Sequence, residues 1–282
     1  MGAASVEPAD LRNFAGLVVL LGAGRMGGAL LEGWLRSGLD PHKVAVLEPQ
    51  PSPEIAKLAG RGVRLNAPVP GPATAVVIAV KPQVAAEVLP TLKPILAPSS
   101  LAVSIMAGRT LRFIAGALGK PGEAPCALVR AMPNTPAAIG RGITVAVAER
   151  ASAAQRELAQ ALLGATGTVE WVEDEGLMDA VTAVSGSGPA YVFLLAETLA
   201  QAGVAAGLPA PLAQKLARET VAGSGELLHR SPLDPATLRE NVTSPGGTTA
   251  AALAILLRKD GLGALMQRAI TAATARSREL AD

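Results

Sequence analysis

Two stretches of this sequence carry residue types at spacings that could do chemistry. The later one, Asn241-Val-Thr-Ser-Pro-Gly-Gly-Thr-Thr249, opens a run of helical pattern that ends near Arg258. Ser244 reads as a helix N-cap and Pro245 suits a first helical position, while Gly246 and Gly247 let a ligand come close to bare backbone. Free N–H groups at a helix start, together with the helix dipole and the hydroxyls of Thr248 and Thr249, make a small anion site of the kind that suits a carboxylate. A well-capped helix after a glycine turn would read the same way locally. The rest of the chain has to decide.

The earlier stretch is Gly22-Ala23-Gly24-Arg25-Met26-Gly27-Gly28, reached directly from the apolar run Leu17 to Leu21 and followed by helical pattern over Ala29 to Ser37. Glycines at a strand-to-helix turn form a dinucleotide fingerprint: Gly22 permits the tight turn, Gly24 lets a pyrophosphate approach the backbone, and Gly27 allows close helix-to-strand packing. A second strand, Lys43 to Leu47, ends in Glu48, where an acidic residue accepts from the adenosine ribose hydroxyls and opposes a 2'-phosphate. Further strand ends deliver Asn66, then Val80-Lys81-Pro82, then Ile105-Met-Ala107-Gly108 to the carboxyl edge where α/β sheets place ligands.

What is missing narrows the chemistry. His42 and His229 lie in no motif, Cys126 falls in a strand, and no pair of acidic residues stands at metal or acid/base spacing; Asp174 and Glu175 read as helix-start charges. Reduction of a carbonyl needs a proton donor for the developing alkoxide, and these two glycine motifs offer no His, Lys or Tyr for it. A C=N substrate can arrive protonated as an iminium and accept hydride with little acid help, so orientation and carboxylate binding would carry most of the catalysis.

Strand and helix patterns alternate as far as Val172, the signature of a doubly wound parallel sheet. Among its predicted elements are a helix over Gln83 to Leu96 and strands at Ile143 to Val147 and Val169 to Val172. Beyond Glu173 only Ala/Leu-rich helical periodicity remains. The expected organisation is therefore a loose tail over 1–16, a dinucleotide-binding domain over 17–173, and an all-helical domain over 174–282 whose weakly charged helices want cover from another subunit. A hydride donor bound on the first domain would meet its substrate presented from the second.

At 282 residues the chain can bury two ordinary cores. Its net charge of +2, with no basic block interleaved with aromatics, argues against a nucleic-acid role. Mean hydropathy is +0.37, yet no apolar run reaches membrane-spanning length without a charge, Gly or Pro. One cysteine excludes an internal disulfide and a cysteine metal set, and fits a reducing cytoplasm.

Taken in order, Gly22-x-Gly-x-Met-Gly27, Val80-Lys-Pro82, Arg130-x-Met-Pro-Asn-Thr-Pro136, Ser185-Gly-Ser-Gly-Pro-Ala-Tyr191 and Ser244-Pro-Gly-Gly-Thr-Thr249 resemble pyrroline-5-carboxylate reductase, over about residues 17 to 280. The last three motifs are far more specific than the first. The resemblance implies an amino-terminal Rossmann domain, a helical dimerisation domain, and NADH- or NADPH-dependent reduction of 1-pyrroline-5-carboxylate to proline. It implies homodimers that often assemble into decamers. Carried over by position, Gly22 to Gly27 would hold the pyrophosphate, Asn66 would lie by the adenosine ribose, and Ala79, Val80, Lys81, Pro82 and Ala107 would line the dinucleotide. Ser244 and the backbone of Gly247 and Thr248 would bind the substrate carboxylate, Thr249 would hydrogen-bond the ring nitrogen, and Asn241 would buttress the loop. Glu48 departs from the Ser, Thr or Asn common in similar enzymes and predicts that NADH serves at least as well as NADPH, unless Arg25, Lys43 or Lys57 rescues the phosphate. The nearest competitor, a β-hydroxyacid-type dehydrogenase, would need a catalytic lysine in the helical domain, for which Lys215 is the candidate.

Overall fold

The computed structural model describes residues 10–119 and 125–281. Its strands β1 (Val18–Leu21), β2 (Val44–Leu47), β3 (Arg64–Leu65), β4 (Ala75–Ile78), β5 (Leu101–Ser104), β6 (Ala127–Met132), β7 (Gly142–Glu149) and β8 (Gly167–Trp171) form one sheet. The strand order is β3-β2-β1-β4-β5-β6-β7-β8. Strands β1, β2 and β4 are apolar without alternation, because both faces of the sheet are covered: Val18 and Leu20 enter one core, Val19 and Leu21 the other. The covering helices are α1 (Arg25–Arg36), α2 (Pro53–Ala59), α3 (Ala85–Val88), α4 (Leu111–Leu118) and α5 (Ala153–Gly164). Strand order reverses between β1 and β4, the crevice where such sheets take ligands.

Helix α1 is seated at both ends. Its amino end begins at the glycine turn, and its far end presses on the link after α5, where a Cβ on Gly33 would stand 2.7 Å from the Ala165 carbonyl oxygen. The fully buried Trp34 donates its indole N–H to the Leu162 carbonyl at 2.7 Å. A buried indole needs such a partner, since an orphaned donor there costs about 1–3 kcal/mol.

Three expectations are corrected. The sheet is parallel only through β6: β7 runs antiparallel to β6, and β8 follows β7. The link between β6 and β7 holds only a 3-10 turn, Thr135–Ile139, which is too short for a parallel crossover of a dozen or more residues. The helix expected over Gln83 to Leu96 is a 3-10 turn (Pro82–Val84), one turn of α3 and a second 3-10 stretch (Leu89–Ile95). Pro90 and Pro94 lack the N–H that a continuous helix requires. Of the expected loose tail, residues 1–9 lie outside the described residues, but Asp10 to Gly16 is held down. Leu11 is buried and donates its N–H to the Ser37 carbonyl at 2.9 Å, and Lys43 Nζ donates to the Phe14 carbonyl at 2.5 Å.

Contacts divide the described chain into two compact units, residues 10–186 with 274–281, and residues 187–273. The sheet unit does not stop at Glu173. It takes in a 3-10 turn (Glu175–Leu177), α6 (Met178–Val181) and a π turn (Thr182–Gly186), because Met178 is buried in its core. The end of the last helix also belongs to it: the Ser277 hydroxyl donates to Asp179 at 2.7 Å.

The second unit is helical: α7 (Gly188–Ala205), α8 (Ala210–Arg230), α9 (Pro235–Asn241), α10 (Thr248–Leu256) and the start of α11 (Leu262–Ala281). α7 and α8 pack closely where Gly203 meets Ala213. Neither α7 nor α10 has a buried residue, and Phe193 is 67% and Ile255 62% exposed. An apolar surface this extensive marks an interaction face.

Candidate active site

The three glycines of the first motif are demanded for different reasons. Gly22 sits at φ +89, where side chains are disfavoured, and its N–H donates to the Leu47 carbonyl at 2.9 Å. A Cβ on Gly27 would run into the Gly22 carbonyl, so that glycine lets α1 close onto the turn. Gly24 is different: a Cβ there would meet no protein atom within 4 Å. Nothing in the protein's own packing asks for glycine at that point, whereas a pyrophosphate approaching the backbone does. Gly24 is also the N-cap of α1, without a side-chain cap and with no acidic residue in the first turn. The helix therefore keeps its N–H donors and dipole for an anion. Met26 packs on the core below the turn, and Arg25 is exposed beside it.

At the end of β2, the Glu48 carboxylate is fixed on both oxygens. Oε2 accepts from the Ala23 N–H of the glycine turn at 2.8 Å, and Oε1 accepts from the Gln50 N–H at 3.0 Å. Asn66, left-handed at φ 52, brackets the Glu48 backbone: its Oδ1 accepts from the Glu48 N–H at 2.9 Å and its Nδ2 donates to the Glu48 carbonyl at 2.8 Å. Ala79 follows β4 and donates to the Leu21 carbonyl, which sets Val80, Lys81 and Pro82 at the same edge of the sheet. Lys81 is exposed. Arg109 donates to the Pro82 carbonyl at 3.1 Å, and the exposed Ala107 lies two residues before it on the turn after β5. Glycine turn, Glu48, Asn66, Ala79 to Pro82 and Ala107 thus share the carboxyl edge.

In the helical unit, the loop between α9 and α10 differs from its expected form. Ser244 is not the N-cap and Pro245 does not start the helix: α10 begins at Thr248 with Gly247 as its N-cap. Ser244 to Gly247 form a turn in which the Gly247 N–H donates to the Ser244 carbonyl at 3.1 Å and Gly246 takes φ +71. Pro then Gly at the two central positions is what a type II turn requires, and it excludes Gly246 from a helix. The Gly247 N–H is therefore engaged, and the backbone donors open at the helix mouth are those of the first turn, beginning at Thr248 and Thr249. A Cβ on Gly247 would strike the Ser244 hydroxyl, so that hydroxyl stands directly over the glycine. The loop is tied to α9 by the Thr243 hydroxyl, which donates to the Arg239 carbonyl at 2.6 Å. Among the described residues, the exposed Asn241 side chain makes no hydrogen bond.

In the sheet unit, the pairing of two residues escaped sequence reasoning. Arg130, 4% exposed, donates to Glu175 at 2.8 Å, and the same Glu175 oxygen accepts the Leu111 N–H. Glu175 is thus an internal strut rather than a simple helix-start charge, while Asp174 does cap its turn by accepting from Gly176. The Met132-Pro-Asn-Thr and Ser185-Gly motifs meet: a Cβ on Gly186 would overlap the Met132 methyl. Asn134 Oδ1 accepts from the Ile143 N–H at 3.0 Å, and the Ser185 hydroxyl donates to the Val181 carbonyl inside the π turn. Among the described residues no cluster of His, Cys, Asp and Glu could hold a metal.

A doubly wound sheet with this glycine cradle at its switch point, followed by a helical unit, defines a Rossmann-type NAD(P)-dependent oxidoreductase. A family model described as "NADP oxidoreductase coenzyme F420-dependent" matches residues 17–108, and one described as "Pyrroline-5-carboxylate reductase dimerisation" matches 175–280. The chain is 40% identical to the pyrroline-5-carboxylate reductase of Pseudomonas aeruginosa, over 94% of this chain and 97% of that one. It superposes on the Coxiella burnetii pyrroline-5-carboxylate reductase with a TM-score of 0.86 at 33% identity, covering 95% and 99% of the two chains. The Plasmodium falciparum pyrroline carboxylate reductase, solved with NADP bound, gives 0.77 at 27% identity, covering 96% and 100%. The chain belongs to the pyrroline-5-carboxylate reductase family.

Proposed function

We propose that this chain reduces 1-pyrroline-5-carboxylate to L-proline, the last step of proline biosynthesis, with NADH or NADPH as reductant. The carrying observation is the helix mouth at Thr248, reached through a type II turn whose glycines leave backbone donors and the Ser244 hydroxyl uncovered. That is carboxylate chemistry, and the substrate's one full negative charge is a carboxylate. Ser244 with the Thr248 and Thr249 N–H groups holds that carboxylate, and the Thr249 hydroxyl takes the ring nitrogen. Gly247 contributes by letting the substrate come close, and Asn241 closes α9 ahead of the loop.

The glycine turn from Gly22 to Gly27, with Glu48, Asn66, Ala79 to Pro82 and Ala107, holds the dinucleotide. When bound, its nicotinamide supplies a hydride to the imine carbon. The ring nitrogen carries a proton in the iminium form, so the product amine needs no strong acid from the protein. The residues supply fixed orientation instead, the effect worth most in a reaction whose electrophile is already activated.

The cofactor domain is the sheet unit, residues 10–186 with 274–281, and the substrate-binding and dimerisation domain is the helical unit, residues 187–273. The exposed apolar helices α7 and α10 support a homodimer, with a decamer as a higher assembly. Among the described residues no helix is long and apolar enough to cross a membrane, and a cytoplasmic location accords with the single buried cysteine.

The test follows nicotinamide absorbance with pyrroline-5-carboxylate, for the wild type and Thr249→Ala. Rapid oxidation of NADH or NADPH that drops by about a hundredfold in the variant supports reaction and pocket together. Binding of both dinucleotides without oxidation of either would remove the substrate assignment.

A further inference from the structure

We infer that Glu48 makes this enzyme selective for the unphosphorylated dinucleotide, NADH, over NADPH; the inference rests on the dinucleotide reading of the glycine cradle given above. The placement of its carboxylate carries the argument. Each oxygen has one backbone donor, Ala23 N–H on Oε2 at 2.8 Å and Gln50 N–H on Oε1 at 3.0 Å. A carboxylate oxygen accepts along two lone pairs, so each keeps a site for a ribose hydroxyl. Both hydroxyls of an unmodified adenosine ribose can donate there, whereas a 2'-phosphate offers about two negative charges and acceptors only.

The carboxylate is not free to swing aside. Its bond to Ala23 joins it to the turn that receives the pyrophosphate, and Asn66 pins the Glu48 backbone through both N–H and carbonyl. Relieving the clash with a 2'-phosphate would undo the hydrogen bond that shapes the glycine turn. Of the cations near in sequence, Lys43 precedes β2, at the opposite end of that strand from Glu48, and its Nζ is engaged by the Phe14 carbonyl. Lys57 lies on α2, where its charge acts on Glu54. Arg25 is exposed at the start of α1 and is the side chain that could receive a phosphate instead.

Fluorescence titration of the wild type, Glu48→Gln, Glu48→Ser and Arg25→Ala with NADH and NADPH at one ionic strength tests this, with initial rates on pyrroline-5-carboxylate beside it. The expected result is NADH binding tighter than NADPH by about tenfold or more in the wild type, with NADPH gaining in both Glu48 variants and the ratio little changed in Arg25→Ala. Equal or tighter wild-type binding of NADPH, or a cofactor ratio that ignores Glu48, overturns the inference. The expected binding pattern without turnover supports Glu48 selectivity and sinks the pyrroline reductase reading alone, so the two failures are told apart.

Discussion

Glu175 holds two donors on a single oxygen, the Arg130 guanidinium and the Leu111 N–H, each at 2.8 Å. One carboxylate thereby joins β6, the start of α4 and the turn that follows β8. Removing it takes the counter-charge from an arginine side chain that is 5% exposed. Glu175→Ala is expected to destabilise the sheet unit by about 3 kcal/mol, measured by urea unfolding, while Glu175→Gln, which keeps an acceptor, loses less. A Glu175→Ala loss no larger than that of the exposed Glu173→Ala would show that the pair bears no strain from burial.

The glycine cradle separates folding from binding. Gly27→Ala drives a Cβ into the Gly22 carbonyl and should lower stability as well as dinucleotide affinity. Gly24→Ala meets no protein atom, so its melting temperature should stay within about 2 °C of wild type while NADH affinity falls by about tenfold or more. Calorimetry and titration on the two variants check the contrast; equal NADH affinity in Gly24→Ala would remove Gly24 from the pyrophosphate site.

At the helix mouth, Gly247→Ala forces the Ser244 hydroxyl away from its position. The expected outcome is a KM for pyrroline-5-carboxylate raised by about tenfold or more, with NADH affinity unchanged. Thr249→Ser, which keeps the hydroxyl, should retain most of the kcat that Thr249→Ala loses. A fall of kcat in both to the same extent would mean that the methyl, not the hydroxyl, matters.

Burial raises the Cys126 thiol from its ordinary 9.0 to about 11. Its folded value lies above the unfolded one, so the stability it contributes is complete below about pH 9 and disappears as pH rises toward 11. The urea midpoint should therefore fall across that window in wild type and fall less in Cys126→Ala. A thiol reagent at pH 8 should label the native protein slowly and the unfolded protein at once.

Local chemistry accounts for what the sequence revealed. Gly22, Gly24 and Gly27 were legible because each answers a separate demand of one strand-to-helix turn, and Glu48 because strand ends are countable. Ser244-Pro245-Gly246-Gly247 misled because Ser-Pro satisfies a helix start while Pro-Gly satisfies a type II turn, and left-handed Gly246 decides for the turn. The reversal of β7 left a trace in the short link after Met132, since a crossover needs more chain. Arg130 with Glu175 left none: 45 residues separate them, and no periodicity relates one to the other.

Gly33 and Trp34 give α1 a fixed far arm. The phosphate-facing end of that helix can point only where its other end allows, and that end is wedged between the Ala165 and Leu162 carbonyls. The helix is a rigid lever, about 14 Å from Gly24 to Gly33. A single methyl added at Gly33 would tilt the grip on the pyrophosphate without touching any atom that holds it.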